Sequence, residues 1–499
     1  MKEKFFKLSD KVVKFFFSLF IILYSVGNIF FSAKINELTG NYVVFSNDFN
    51  LIKIVYFVGI FLFLIYLIKK DFFGIKDFKL LCVFLVFSFV VGMIWIFIND
   101  PIIREAGDSY NCFNAAKNIV NGDYSSLSYK SYISTYPNNI GLVTYFMLHI
   151  KIFGEYMALY SIRIVNLIFV LLGYYSLYGI TKLIFKNNRI TNCILIFLMF
   201  GSMQYVFYSF VVYGNCLSYS LGLLSVYCLL LFFDENKLIY IIISIISIII
   251  SISIKENSLI ILIAESIFII LYTLKNKKII LVFSIIFMLV GSYVGTSGLQ
   301  KFWGNKVDIN YDEVKLPTIC WLAYGLNYDQ RNPGGYTSEF EVFHVENGYM
   351  PQYTKLQAET FINGVFNTFK ENPLLIFRFY GQKFLISWAD PQYDCLDGYR
   401  ELNNGEFVND VIGGNINDIL SNTWNGIANI IAIGLFVLII KKYKDIDIFG
   451  LLPAVVVVGG FLFHAFWEVK SIYLYQYFMY LLPYGAYGLT LLFDKGSRD

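Results

Sequence analysis

Charge is scarce in this sequence. Only 15% of its 499 residues are Asp, Glu, Lys or Arg, against roughly a quarter in ordinary soluble domains. Together with 57% apolar residues, that shortage excludes a soluble enzyme. The net charge of +3 is small, and no nucleic-acid partner is expected. Seven cysteines occur without a CxxC pair, so neither a zinc site nor a disulfide framework is indicated. Cys320 and Cys395 share one polar segment, and their pairing is left open. Three histidines, His149, His344 and His464, form no HExxH-like arrangement. No metal site is evident, and the need for a divalent cation is unknown at this stage. Internal repeats, inverted or direct, are also lacking.

What is abundant is long apolar runs. Candidate spans fall at about 15–33, 51–68, 80–98, 157–181, 190–208, 214–232, 238–254, 257–273, 279–297, 423–440, 448–466 and 472–493. Each is long enough, or nearly so, to cross a hydrocarbon core of about 30 Å as a helix. The first follows Met1-Lys-Glu-Lys and lacks a small-residue cleavage site, so it reads as a retained helix. A further apolar stretch, 139–153, is too short and reads as interfacial. Leaving it out places the basic clusters Lys69/Lys70, Lys182/Lys186/Arg189, Lys275/Lys277/Lys278 and Lys441/Lys442/Lys444 on one side. Short loops rich in Lys and Arg are cytoplasmic. The expected fold is therefore an all-α polytopic membrane protein of about twelve transmembrane helices, both termini inside. Residues 1–297 form a transmembrane module with its first outer loop at 99–156. Residues 298–422 form a second outer region and 423–499 the C-terminal helices. Both outer loops carry helical signals of interfacial type. All six tryptophans fall at or beyond the outer helix ends, and indole prefers the headgroup zone.

Several polar residues gather at that outer side. Asp108, in Arg104-Glu-Ala-Gly-Asp-Ser-Tyr, suits either a helix N-cap or a general base for an acceptor hydroxyl. Lys255, in Ser253-Ile-Lys-Glu-Asn257, sits in a tight turn at headgroup depth. It reads as a phosphate ligand, a snorkelling lysine or a partner of Glu256. Arg163, with Asn166, lies in the outer part of the fourth span, where charge is costly. It is a second phosphate candidate or a headgroup contact. Glu468 and Lys470, in His464-Ala-Phe-Trp-Glu-Val-Lys-Ser-Ile-Tyr473, occupy the last outer turn and read as an orienting ion pair or a solvated turn. Glu265, near mid-depth, reads as a structural hydrogen-bond partner. Aromatics with Asn, Asp and Gln in 316–327, 332–336, 379–383 and 387–391 suit sugar recognition, although aromatics are 19% of the chain everywhere.

The order of these motifs carries a resemblance. Asp108-Ser-Tyr-Asn-Cys-Phe-Asn-Ala-Ala-Lys-Asn-Ile-Val-Asn-Gly-Asp-Tyr124 is followed by Tyr136-Pro-Asn-Asn-Ile-Gly-Leu142 and Ile152-Phe-Gly154. This resembles the first outer loop of membrane glycosyltransferases of the GT-C superfamily, most closely the bacterial protein mannosyltransferase-like and lipid A aminoarabinose transferase-like enzymes. It spans about 80–270 and, more loosely, the last two helices. The resemblance implies that Asp108 is the catalytic base and that Lys255 is the basic residue of its turn, with Glu468 and Lys470 in the family's Glu–basic–aromatic turn. Relatives often add an acidic residue between the fifth and sixth spans. Here Val212-Tyr-Gly-Asn-Cys216 has none, and Glu105 or Asp123 are the nearest substitutes.

The implied reaction is inverting sugar transfer from a polyprenyl-phosphate donor to a glycan, lipid or protein acceptor. It would occur at the outer face of a bacterial cytoplasmic membrane, in cell-envelope glycan modification. Abundant Ile, Lys, Asn, Phe and Tyr suit an AT-rich bacterial genome. A lipid-linked glycan polymerase or ligase should show more loop arginines than Arg331, Arg378 and Arg400. A transporter should place its polar groups near the midplane.

Overall fold

The computed structural model describes residues 2–36, 42–47, 50–70, 76–98, 107–329, 332–396, 411, 414–443 and 446–493. Its helices are α1 (Lys2–Phe30), α2 (Leu51–Lys69), α3 (Asp77–Ile98), α4 (Gly107–Val120), α5 (Tyr132–Thr135), α6 (Ile140–Phe153), α7 (Glu155–Ile184), α8 (Arg189–Gly201) and α9 (Gln204–Tyr208). They continue as α10 (Asn215–Glu235), α11 (Leu238–Ile254), α12 (Leu259–Asn276), α13 (Val282–Tyr293), α14 (Leu299–Gly304), α15 (Ile319–Gly325), α16 (Glu339–Glu346), α17 (Pro351–Glu371) and α18 (Pro373–Trp388). The last four are α19 (Asn415–Ile440), α20 (Leu452–Phe466), α21 (Ser471–Met479) and α22 (Leu482–Phe493).

The chain is an all-α polytopic membrane protein. Among the described residues, nine helices are long and apolar enough to cross a membrane, and α8 and α11 are shorter apolar helices. Every stretch read as a span in the sequence is helical over most of its length, the first giving way to a strand at Phe31, but two are broken. The span at 190–208 divides into α8 and α9 at Ser202-Met203, and the last divides at Tyr480-Leu481, just before Pro483, a residue that cannot donate to the preceding turn. The stretch 139–153 is the short helix α6. One feature was not legible beforehand: β1 (Phe31–Asn36) pairs antiparallel with β2 (Tyr42–Asn47), Phe31 opposite Asn47. Ala33 N–H donates to the Ala389 carbonyl at 2.9 Å and ties this hairpin to the end of α18.

Helix α2 shows why a bilayer is required. It is apolar all round, yet only Leu64 and Leu67 are buried, so its other faces need lipid. Between helices, small residues allow close approach. A methyl on Gly488 of α22 would lie 1.8 Å from the Gly434 carbonyl oxygen of α19. Serines bond α10 to its neighbours: Ser218 Oγ lies 3.1 Å from Ser251 Oγ of α11 and 2.9 Å from Ser258 Oγ, just before α12. Each such bond contributes roughly 0.6 kcal/mol in a membrane. Glu265 of α12 is buried here too, accepting from Ser225 Oγ of α10 at 2.6 Å. Its role is that of a hydrogen-bond partner between helices.

Two smaller apolar cores cover one end of the bundle. Phe113 and Ile119 of α4 pack with Val143, Phe146 and Ile150 of α6. Leu316, Tyr324, Phe340, Ile362 and Phe379 from the 316–379 region form the other. A polar cavity opens between these cores and the ends of α11, α12, α20 and α21.

Candidate functional site

The cavity measures about 490 Å³ and is lined by Asp108, Lys255, Glu468 and Lys470 together. Four residues scattered between positions 108 and 470 therefore line the same cavity.

Asp108 stands in the first turn of α4, where the positive end of the helix favours negative charge. Its carboxylate is engaged from two sides. Tyr132 Oη of α5 donates to Oδ1 at 2.7 Å, and Tyr213 Oη donates to Oδ2 at 3.1 Å. Burial and the Asp108 charge hold both phenols well above their usual pKa, so they stay protonated as donors. Asn139 Nδ2 donates to Tyr132 Oη at 2.8 Å and fixes the first of them. The Asp108 carboxyl is held, open to the cavity, by side chains rather than consumed in capping.

Lys255 follows the last turn of α11. Its Nζ donates to Asn215 Oδ1 at 2.5 Å and lies over the rings of Tyr213 (4.5 Å) and Tyr473 (5.0 Å). It turns to these groups, not to its neighbour Glu256. Burial pushes its ammonium down to about 7, opposed by the Asp108 and Glu468 charges and reinforced by Lys470. Tyr213 thus touches both the Asp108 carboxylate and the Lys255 cation.

Glu468 is buried in the turn between α20 and α21. Burial pushes its carboxyl up to about 7, and the Lys470 charge opposes this. The turn itself is pinned. Glu468 N–H donates to the Trp321 carbonyl at 2.9 Å, and Val469 N–H to the Gly334 carbonyl at 2.9 Å. Lys383 of α18, fully enclosed, donates to the carbonyls of Gly325 (2.5 Å), Ala465 (3.0 Å) and Trp467 (2.9 Å). Three carbonyls match the three N–H bonds of an ammonium, although burial pushes its pKa down to about 7. His464 Nδ1 donates to the Glu468 carbonyl at 3.0 Å, leaving Nε2 as an acceptor that no protein group fills.

Arg163 is not brought to the cavity. It is buried in α7, with Nε donating to the Phe210 carbonyl at 3.0 Å and its guanidinium 3.7 Å from the centre of the Phe210 ring. Asn166 Nδ2 donates to the Val211 carbonyl at 3.1 Å. The pair braces the 209–213 turn that presents Tyr213. A charged residue in a span looked like a ligand contact because sequence cannot show that it bonds a backbone carbonyl and packs on a ring. Asp123 caps its own turn, accepting from Ser125 N–H (2.8 Å) and Oγ (2.9 Å), which lower its pKa. Glu105, Arg331 and Arg400 lie outside the described residues. Cys320 and Cys395 are buried in separate cores and are not joined by a disulfide.

Sequence reasoning passed over Tyr132, Tyr213, Asn215 and Glu341. Tyr213 and Asn215 carried a signal, because both lie in the turn searched for a carboxylate. Glu341 of α16 also lines the cavity. Among the described residues, no three His, Cys, Asp or Glu side chains cluster closely enough to hold a metal ion.

Such a fold and site define a polytopic membrane protein with a carboxylate and a lysine facing one polar cavity at the helix ends. Residues 110–348 match the model of the Alg9-like mannosyltransferase family, a GT-C type membrane glycosyltransferase family. The match supports a membrane glycosyltransferase. It starts two residues after Asp108 and includes Tyr132, Tyr213, Lys255 and Glu341, but stops short of Glu468 and Lys470. No curated protein matches the chain significantly.

Proposed function

We propose that this protein is an inverting glycosyltransferase that uses a polyprenyl-phosphate-linked hexose at the outer face of a bacterial cytoplasmic membrane. Its role would be in modifying a cell-envelope glycan. The observation that carries the reading is the Asp108–Tyr213–Lys255 relay across one cavity wall.

In this reaction Asp108 takes the proton of the acceptor hydroxyl as that oxygen attacks the anomeric carbon. The bond from the anomeric carbon to the phosphate oxygen breaks, and its electron pair leaves with the polyprenyl phosphate. The departing phosphate gains negative charge, and Lys255 is the cation placed to receive it. Lys470 adds positive charge nearby, and Glu468 orients the group bound beside it. The family name attached to the matched model favours mannose as the donor sugar. The apolar helix faces supply a lipid tail with its surroundings, and the basic helix ends opposite the cavity favour a cytoplasmic placement for that side.

The test is transfer by the purified protein in proteoliposomes, with mannosyl-phosphoryl-polyprenol and a mixed saccharide acceptor pool. A new glycosidic bond with inverted anomeric configuration is expected. Movement of lipid or glycan across the bilayer with no bond formed would assign the protein to transport instead.

A further inference from the structure

A second carboxylate on the cavity wall is built like the first. Glu341 accepts from Tyr336 Oη, and Tyr136 lines the cavity with it, its phenol held up by burial and by the Glu341 charge. Asp108 is held by two phenols, Tyr132 and Tyr213. The two arrangements meet on α5, because Tyr132 and Tyr136 are one helical turn apart with ring centres 5.1 Å from each other.

Two further observations point to a ligand at Glu341. Tyr324 is buried, lines the cavity and has its ring 5.1 Å from that of Tyr336, tilted by 56°. Its hydroxyl has no hydrogen-bond partner, and a buried hydroxyl without one is costly. Trp321 also lines the cavity, edge-on to Tyr136 at 6.2 Å and 84°. A carboxylate offers about four lone-pair sites, so the bond from Tyr336 leaves room for two more donors. Adjacent hydroxyls of a neutral pyranose supply such donors in a pair, and the C–H face of the ring suits an indole surface.

We propose that Glu341, Tyr324 and Trp321 form a pyranose-binding subsite that holds the acceptor saccharide. The inference rests on the transferase reading for its choice of acceptor over donor. Inversion requires attack from the side opposite the leaving phosphate. Asp108 reaches Lys255 through Tyr213 and reaches Glu341 through Tyr132 and Tyr136. The base is therefore linked by contacts to the phosphate lysine on one side and to this subsite on the other.

The test has two arms, both on the full-length protein. In the first, methyl α-mannopyranoside binding is followed by saturation-transfer NMR in nanodiscs. Glu341→Gln and Trp321→Leu should each weaken it by roughly tenfold or more, the scale of a hydrogen bond to a charged group, while Lys255→Met leaves it in place. In the second, Glu341→Gln should raise the KM for a saccharide acceptor by a similar factor with donor KM unchanged. Unaltered pyranoside binding in both variants would overturn the subsite. A rise confined to donor KM would overturn its assignment to the acceptor. Binding that depends on Glu341 in a protein unable to transfer sugar would refute the transferase reading and leave the subsite standing.

Discussion

Lys255 is a cation in surroundings that discourage charge. Burial brings its pKa to about 7, while burial of Glu468 brings its carboxyl up to about 7. The signs agree for an anionic ligand. As pH rises through 7, Lys255 loses its positive charge and Glu468 gains a negative one, and both changes disfavour phosphate. The donor kcat/KM should therefore fall above an apparent pKa near 7, since that ratio reports the free enzyme. A flat profile from pH 6 to 9 would remove Lys255 from donor recognition. Tyr213 is the second residue at this scale. Tyr213→Phe keeps the ring beneath Lys255 and deletes one donor to Asp108. It should lower kcat about tenfold and leave donor KM within about twofold. Steady-state kinetics that showed the opposite split would place Tyr213 with the donor.

At the scale of elements, the last turn of α11 sets where Lys255 stands, and neighbours without side chains make room for it. A methyl on Gly141 of α6 would lie 1.7 Å from the Ser253 carbonyl oxygen, and one on Gly295 would lie 2.0 Å from Ser253 Oγ. Gly295 belongs to a π-helical turn, Val294–Gly298, that links α13 to α14, a wide turn of the kind often found at functional sites. Gly141→Ala meets backbone rather than a flexible side chain, so α6 and α11 must separate. The expected cost is about 1–3 kcal/mol of stability, with donor KM raised more than acceptor KM because Lys255 is two residues beyond the contact. Thermal unfolding in detergent and kinetics with each substrate varied check the two parts. An unchanged donor KM at full stability loss would detach the α11 turn from donor binding.

Across the whole molecule, the spans were legible because apolar runs of membrane length have few other uses. Helix α6 was expected not to span because counting it would have moved Lys182, Lys275 and Lys441 to the face opposite Lys69 and Lys70. The breaks at Ser202-Met203 and Tyr480-Leu481 were hidden, since hydropathy runs through them unaltered. Of the site, Asp108, Lys255, Glu468 and Lys470 were visible as polar residues at helix ends and in turns between helices, and they do share one cavity. Glu341 was invisible because its partners, Tyr136 and Tyr336, come from different outer segments that only the tertiary fold unites. Arg163, read as a second phosphate candidate, lies away from the cavity and braces the Tyr213 turn, and burial inside a span is compatible with either role. The orientation in the bilayer proposed from charge placement has its own check. An exposed Glu346→Cys should react with a membrane-impermeant maleimide in intact cells, and Lys182→Cys only after permeabilisation. The reverse pattern would turn the cavity to the cytoplasm.

The central claim is that Asp108 removes the acceptor proton. It is tested most directly by single-turnover sugar transfer with Asp108→Asn, which keeps the side chain's shape and its contacts with α5. A transfer rate reduced by roughly 10²–10⁴ with donor binding retained is the predicted result. Transfer at the wild-type rate would contradict the account.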